Sequence, residues 1–383
     1  MLKHITTATV AATAALAALS PAVQAAPKER PGLDIAAYQR DLKAMLDTDR
    51  VGVAAHVSDG RLRWDGKAGV SDKDTQAPVQ DRARFRIGST TKTFVATVLL
   101  QLAAERRIDL DAPIGRYVPG LGIRYSDKIT TRMLLGHRAA IPDYNPIVNR
   151  PLTEDPYHWL AVDRFRTWTP RELVDVVKGL DRPEPGGAVS YSNTGYIVAG
   201  MIVKKVTGRT YAEEIQRRIL RPLGLRNTYL PGSSTRIRGP HPKMYAEGAD
   251  ASEVYDITAT NPSIAGAAGE MISTPADLAT FNRALLSGRL LRGPQLRQMK
   301  AMSEFVPGQE YGLGLLSRSL TRCGAKMWGH AGTYYGAVSV MFGSEDGKRQ
   351  LAFTIATGYV KNSPAQNEAF KALFEDVFCG PEK

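Results

Sequence analysis

Only two cysteines, Cys323 and Cys379, occur in 383 residues. They form no C-x-x-C pair, so a dithiol redox centre and a cysteine-based zinc site are excluded. The six histidines (His4, His56, His137, His158, His241, His330) show no metal-ligand spacing. H-E-x-x-H, the G-x-S-x-G elbow and the G-x-x-x-x-G-K phosphate loop are all missing. No metal and no organic cofactor is therefore expected. Past the N-terminal segment no apolar run reaches the roughly 18 residues of a membrane span, so the mature chain is expected to be soluble. There is no internal repeat. Lysine and arginine exceed aspartate and glutamate, 50 to 38, giving a net charge of +12. The excess is scattered, without a dense basic block or interleaved aromatics, which argues against nucleic acid. A basic exported protein would be drawn to anionic cell-wall polymers; a generally basic surface is the bland alternative.

What is present is enough for a large core. The composition is 43% hydrophobic, and the length suggests two or more domains. Residues 1–25 read as a signal peptide: Lys3 and His4 make a short basic start, residues 8–19 a short apolar run, and Val23-Gln24-Ala25 a small-residue cleavage site. Cleavage near Ala25 would make the protein secreted and lower its net charge to +11. In an exported protein a cysteine pair suggests one disulfide, although the sequence leaves open whether the two approach each other. A bridge would close a long loop and contribute about 4 kcal/mol on the chain-entropy model.

Residues 26–32 are a polar linker. A helix is expected at 33–46, then a hairpin of strands near 51–57 and 61–64 around Ser58-Asp59-Gly60. Helices dominate the middle. Thr130 or Thr131 starts one, Thr169-Pro170-Arg171-Glu172 another, and helices at 196–206 and 211–220 meet at Thr207-Gly208. Residues 142–159 read as irregular and 231–256 as loop. After a helix opened by Thr274-Pro275 the pattern turns to period two, with strands at 311–316, 326–328, 337–342 and 351–355. A last helix starts at Ser363-Pro364. Strands at both ends and helices between imply an α/β fold: an antiparallel sheet built from both termini and flanked by helices, with an inserted mainly helical domain. The expected division is 33–92 and 261–383 for the sheet domain, 93–260 for the helical one.

Chemistry concentrates in three places. Ser89 and Lys92 lie three apart at the start of a helix, hence on one face, so a desolvated lysine can take the serine proton beside the free N–H groups of a first helical turn. Tyr191-Ser192-Asn193 follows the turn Pro185-Gly186-Gly187. In an extended chain Tyr191 and Asn193 point the same way, and lysine charge would lower the tyrosine pKa for proton transfer. Gly329-His330-Ala331-Gly332-Thr333 reads as a segment between strands, whose small residues let a substrate backbone lie close. Each signal is weak alone.

In this order, Ser-x-x-Lys, Tyr-x-Asn and His-x-Gly resemble the serine penicillin-recognising family, in its branch of class C β-lactamases, DD-peptidases and related esterases. The likeness extends over residues 33–380 and includes Pro222-Leu223-Gly224-Leu225, Tyr311-Gly312-Leu313-Gly314 and the Cys323/Cys379 pair. These last features look closest to secreted serine D-alanyl-D-alanine carboxypeptidases. The resemblance implies Ser89 as acylated nucleophile, Lys92 as the group that takes or positions its proton, Tyr191 as general acid/base and Asn193 as a contact for the substrate amide. It puts His330 in the place of the third-motif cation, where it would help the proton path or the carboxylate site, Gly332 beside the substrate, and the N–H groups of Ser89 and Thr333 in an oxyanion hole. Where the family usually shows His-x-Ser-Gly, this chain has His137-Arg138-Ala139-Ala140, read as a structural change away from the three motifs. Ala331 replaces a common hydroxyl residue. Arg318, the nearest candidate for the substrate carboxylate, is offset by one or two positions from the usual basic residue.

The function implied is a secreted serine hydrolase working through an acyl-enzyme on Ser89. Its expected substrates are D-alanyl-D-alanine peptides of peptidoglycan type, and penicillins should acylate it. The alternative is an esterase or class C-like β-lactamase on the same site. A binding protein with a decayed site is the third reading, against which the intact motif residues argue. A monomer without metal, cofactor or nucleic acid partner is expected.

Overall fold

The structure is a computed structural model that describes residues 32–46, 50–247, 253–357 and 363–380. The expected signal peptide and most of the expected linker lie outside these. Twelve strands are formed among the described residues: β1 (Arg50–Asp59), β2 (Leu62–Gly69), β3 (Phe85–Arg86), β4 (Tyr245–Glu247), β5 (Val254–Asp256), β6 (Ile272–Ser273), β7 (Ser303–Val306), β8 (Gln309–Tyr311), β9 (Leu316–Ser319), β10 (Lys326–Tyr334), β11 (Ala337–Ser344) and β12 (Arg349–Thr357). Eight make one antiparallel sheet in the order β2-β1-β12-β11-β10-β9-β8-β7. The first hairpin and the last three long strands thus close a sheet built from both ends of the chain. Two-stranded pairs β3-β6 and β4-β5 lie outside it.

Each face of the sheet has its own core. Val53, Ala55 and Val57 of β1, Val340 and Phe342 of β11 and Phe353 and Ile355 of β12 pack with Tyr38 and Leu42 of the Ile35–Ala44 helix and Leu373, Phe374 and Val377 of the Pro364–Phe378 helix. The alternate residues Trp328, Met341 and Ala352 face the other way, into the larger core of the helical region. Strands buried on both sides read as near-continuous apolar runs, which is why residues 337–342 lack a polar face. The disulfide Cys323–Cys379, with Cα atoms 5.6 Å apart, ties the β9–β10 connection to the end of the last helix.

The Thr91–Ala104 helix lies at the centre of the second core. Eleven of its fourteen residues are buried, so it is enclosed on every side rather than amphipathic. Phe94 stacks on Phe281 of the Pro275–Leu286 helix with ring centroids 3.6 Å apart. Truncating Phe94 to alanine would cost about 3–5 kcal/mol.

Several local expectations need correction. Residues 142–159 are not irregular: they hold the short helices Asn145–Val148, Arg150–Glu154 and Pro156–Ala161, the last capped by Asp155. The second motif is not wholly extended, because Ser192 caps a helix that runs from Asn193 to Thr207. The expected strand at 311–316 is the end of β8, a turn and the start of β9. The loop at 231–256 contains β4 and β5. The third motif lies inside β10, not between strands.

Candidate active site

The nucleophile is held by a small piece of strand and a cluster of threonines. β3 pairs with β6, and Ile87 N–H donates to Met271 O at 2.9 Å. The chain then turns through Gly88 at φ +48° into a single 3₁₀ turn over Gly88–Thr90 and on into the long helix. Thr90 Oγ1 meets Ser339 Oγ of β11 at 2.8 Å, Thr91 Oγ1 accepts from Met271 N at 3.2 Å, and Thr93 Oγ1 donates to Gly314 O at 2.8 Å. The hydroxyls therefore fasten the first turn to three separate segments. Ser89 is the one residue from Phe85 to Leu100 that is not fully buried.

Lys92 is completely buried. Its Nζ lies 3.0 Å from Ser89 Oγ, 2.7 Å from Asn193 Oδ1 and 2.8 Å from Ala268 O. Burial pulls its pKa down to about 7, while the field of Asp143 works in the opposite direction. A neutral amine has two N–H groups and one lone pair. The carbonyl oxygens of Asn193 and Ala268 can only accept, so the lone pair is left for the Ser89 hydroxyl, as a general base requires. Tyr191 and Tyr196 cover the amine with their rings, 4.9 Å and 5.4 Å from Nζ to centroid.

Tyr191 is hydrogen-bonded to Ser89, yet its pKa is raised: desolvation outweighs that bond, and the Asp143 charge adds to the rise. The expected lowering by lysine charge does not occur, because desolvation of the phenol is the dominant effect. Tyr191 is thus a phenol suited to donate and relay a proton, not a phenolate. His137 stacks on it at 4.0 Å between centroids and also touches Tyr196 and Tyr311. The His137 block therefore lies against the second motif, contrary to the sequence reading that set it apart. Ser192 N–H donates to His137 Nδ1 at 3.1 Å, which places the ring proton on Nε2.

β10 brings the third motif alongside. An ideal Cβ on Gly332 would lie 2.1 Å from Ile87 O and 2.7 Å from Ser89 N; one on Gly88 would lie 2.9 Å from Thr333 N. The two glycines let strand and helix N-terminus approach until the backbones of Ser89 and Thr333 lie side by side, the closeness that an oxyanion hole made of their N–H groups requires. His330 is buried on the same side of β10 as Gly332. Its Nδ1 donates to Ala331 O at 2.5 Å and its Nε2 accepts from the Tyr311 hydroxyl at 3.1 Å. Burial pushes its pKa down to about 3, with the Lys92 charge adding to the effect. Neutral and hydrogen-bonded to Tyr311, it brings no charge to a substrate carboxylate.

Arg318 is not in the site. It alternates with Leu316 and Leu320, which face the core under the terminal helices, and it pairs across the sheet with Met327 of that same core. Burial lowers its pKa to about 10, and Glu375 of the last helix is the charged group whose field acts on it. Ser317 occupies the other face. An offset of one residue in a strand reverses the side, so the displacement noted in the sequence moves the guanidinium through the sheet.

Asp143 was missed. It accepts from Asn193 Nδ2 at 2.9 Å, Asn193 N at 3.3 Å and Asn145 N at 3.1 Å. Its only sequence signal was an acid just after the His137 block. No cluster of His, Cys, Asp and Glu able to hold a metal occurs among the described residues.

Fold and site together define a serine hydrolase. The chain belongs to the β-lactamase family, whose model matches residues 29–376. Among solved structures it is similar to a D-stereospecific amidohydrolase from Streptomyces sp., with 38% identity, a TM-score of 0.80, and coverage of 91% of this chain and 100% of that one. It is also similar to the D-amino acid amidase of Ochrobactrum anthropi SV3 solved with L-phenylalanine amide, at 30% identity and a TM-score of 0.78 over 89% of this chain and 97% of that one. Penicillin-binding protein 4 of Amycolatopsis lactamdurans is 28% identical over 70% of this chain. Across the first curated relatives the chain spans 33% to 67% of their own length.

Proposed function

We propose that this serine hydrolase is a D-stereospecific amidohydrolase, cleaving amides and short peptides of D-amino acids through an acyl-enzyme on Ser89. Lys92 takes the serine proton, the N–H groups of Ser89 and Thr333 hold the oxyanion, and Tyr191 returns a proton to the departing amine. Asn193 holds Lys92 through Oδ1, and the second N–H of its Nδ2 is the one left for the substrate. The carrying observation is the position of Arg318 across the sheet. With His330 neutral as well, neither cation expected for a substrate's terminal carboxylate serves the site, so a leaving group without that charge is favoured. The solved amidohydrolase and amidase at 38% and 30% identity support the same reading.

The second reading is the D-alanyl-D-alanine carboxypeptidase, supported by penicillin-binding relatives at 28% identity or less. An esterase or β-lactamase on the same residues is the third. Export with cleavage after Ala25 belongs to the proposal too; N-terminal sequencing of protein recovered from the medium tests it.

The deciding experiment compares turnover of D- and L-phenylalanine amide, a D-alanyl-D-alanine peptide with a free carboxylate, an aryl ester and a cephalosporin. Ser89→Ala and labelling by a fluorescent penicillin serve as controls. Preference for the D-amide over both its enantiomer and the free-carboxylate peptide is expected. Faster turnover of the carboxylate peptide would return the protein to the carboxypeptidases.

A further inference from the structure

We propose that Asp143 is a positioning residue of the acyl-transfer site: it fixes which end of the Asn193 amide faces Lys92 and sets the pH at which Lys92 becomes a base. The proposal rests on serine acyl transfer at Ser89, not on the choice of a D-amide substrate.

The geometry leaves Asn193 little choice. Both oxygens of Asp143 accept N–H groups, Oδ2 from Asn193 Nδ2 and Oδ1 from the backbone of Asn193 and Asn145. Burial raises the Asp143 pKa, while the N–H groups of Asn145 and Asn193 and the Lys92 charge favour its anion; as a carboxylate it has nothing to donate. The NH₂ of Asn193 must therefore face Asp143, which turns Oδ1 towards Lys92 at 2.7 Å. Were the amide reversed, its NH₂ would point at Lys92, and the amine's lone pair would be spent on that donor rather than on Ser89.

The charge matters as well as the orientation. The surroundings of Lys92 are otherwise uncharged: Ser89, Asn193, the Ala268 carbonyl and the rings of Tyr191 and Tyr196 touch it. His137 and His330, which feel its field, are held neutral by burial. Among the described residues Asp143 is the charged group acting on Lys92, and it favours the ammonium. The carboxylate and the amine are separated by one amide, at most about 8 Å. At an effective dielectric of about 20 that interaction is worth about 1.5 pH units.

The test measures the rate of Ser89 acylation between pH 5 and 10, by fluorescent penicillin or by the best substrate of the panel above. The enzymes are wild type, Asp143→Asn and the exchange Asp143→Asn/Asn193→Asp. In the wild type the rate should rise with pH through about 7. In Asp143→Asn the rise should come about 1.5 units lower, because the anion that favoured the ammonium is gone, and the plateau should fall 10- to 100-fold as the Asn193 amide reverses. In the exchanged protein the carboxylate touches Lys92 directly, so the rise should lie above that of the wild type. A merely structural role would lower the plateau without ordering the three profiles this way. An unmoved profile in folded Asp143→Asn, or an exchanged protein whose rise lies at or below it, overturns the proposal. Should Asp143→Asn fail to fold, Asn193→Asp alone carries the test, and an unmoved profile there refutes it.

Discussion

Gly332→Ala offers the sharpest check on the site geometry. The added methyl would sit 2.1 Å from Ile87 O, 2.7 Å from Ser89 N and 2.8 Å from Thr90 N. All three are backbone atoms of the turn that carries the nucleophile, so no side chain can swing aside. To reach ordinary contact, β10 and the helix N-terminus must separate by about 1 Å, an overpacking that typically costs 1–3 kcal/mol. The same movement draws Thr333 N–H away from Ser89 N–H. Losing one oxyanion donor typically lowers kcat about 100- to 1,000-fold. The assay is kcat for the best substrate together with a thermal melt, beside Gly187→Ala as a control. Gly187 is on the loop leading to Tyr191, and a Cβ there meets nothing within 4 Å. The control should keep near wild-type activity. A Gly332→Ala enzyme within threefold of wild-type kcat would refute the claim that these glycines set the oxyanion geometry.

Two further predictions concern stability. Ala140 holds φ +49° in the block where the family usually has glycine. Ala140→Gly should remove a strain of about 1–2 kcal/mol and return part of it as unfolded-state entropy, for a net gain of about 0.5–1 kcal/mol in denaturant unfolding; a loss would show that the alanine methyl packs usefully. Glu270 is buried, bonded by Tyr211 Oη and by Gly232 N, and desolvation raises its pKa to about 7 from an ordinary 4.5. Its folded pKa is the higher one, so its contribution is complete below the unfolded value and is lost as pH rises through about 7, by up to about 3 kcal/mol. Glu270→Gln should flatten the decline in melting temperature between pH 5 and 8, and an equally steep decline would remove Glu270 as its source.

The parts of this architecture legible in the sequence were those set by local chemistry. Thr130, Thr169, Thr274 and Ser363 cap the helices they were expected to start, because capping is decided within four residues. Ser89 and Lys92 were readable as neighbours for the same reason. The misreadings arose where the answer depended on distant chain. The side taken by Arg318 depends on where β9 begins, since a strand's faces alternate residue by residue. The pKa of Tyr191 depends on how His137, Tyr196 and Tyr311 exclude water around it, and none of them adjoins it in sequence. Asp143 gains its meaning only when the Asn193–Thr207 helix is brought against it. The bounds of β10 were hidden because His330, Ala331 and Gly332 suggest a loop by composition, while pairing with β11 makes them strand.

The join between β1 and β12 has a kinetic consequence. Partners such as Val53 and Ile355 lie about 300 residues apart in the chain. A ribosome delivers the first hairpin long before its neighbour exists, and loop closure over such a span is slow. β10, which carries Thr333 of the proposed oxyanion site, leans on β11, which leans on β12, so this part of the site is secured only once β12 has been added to the sheet. A chain truncated before β12 should be inert however well its helical region folds.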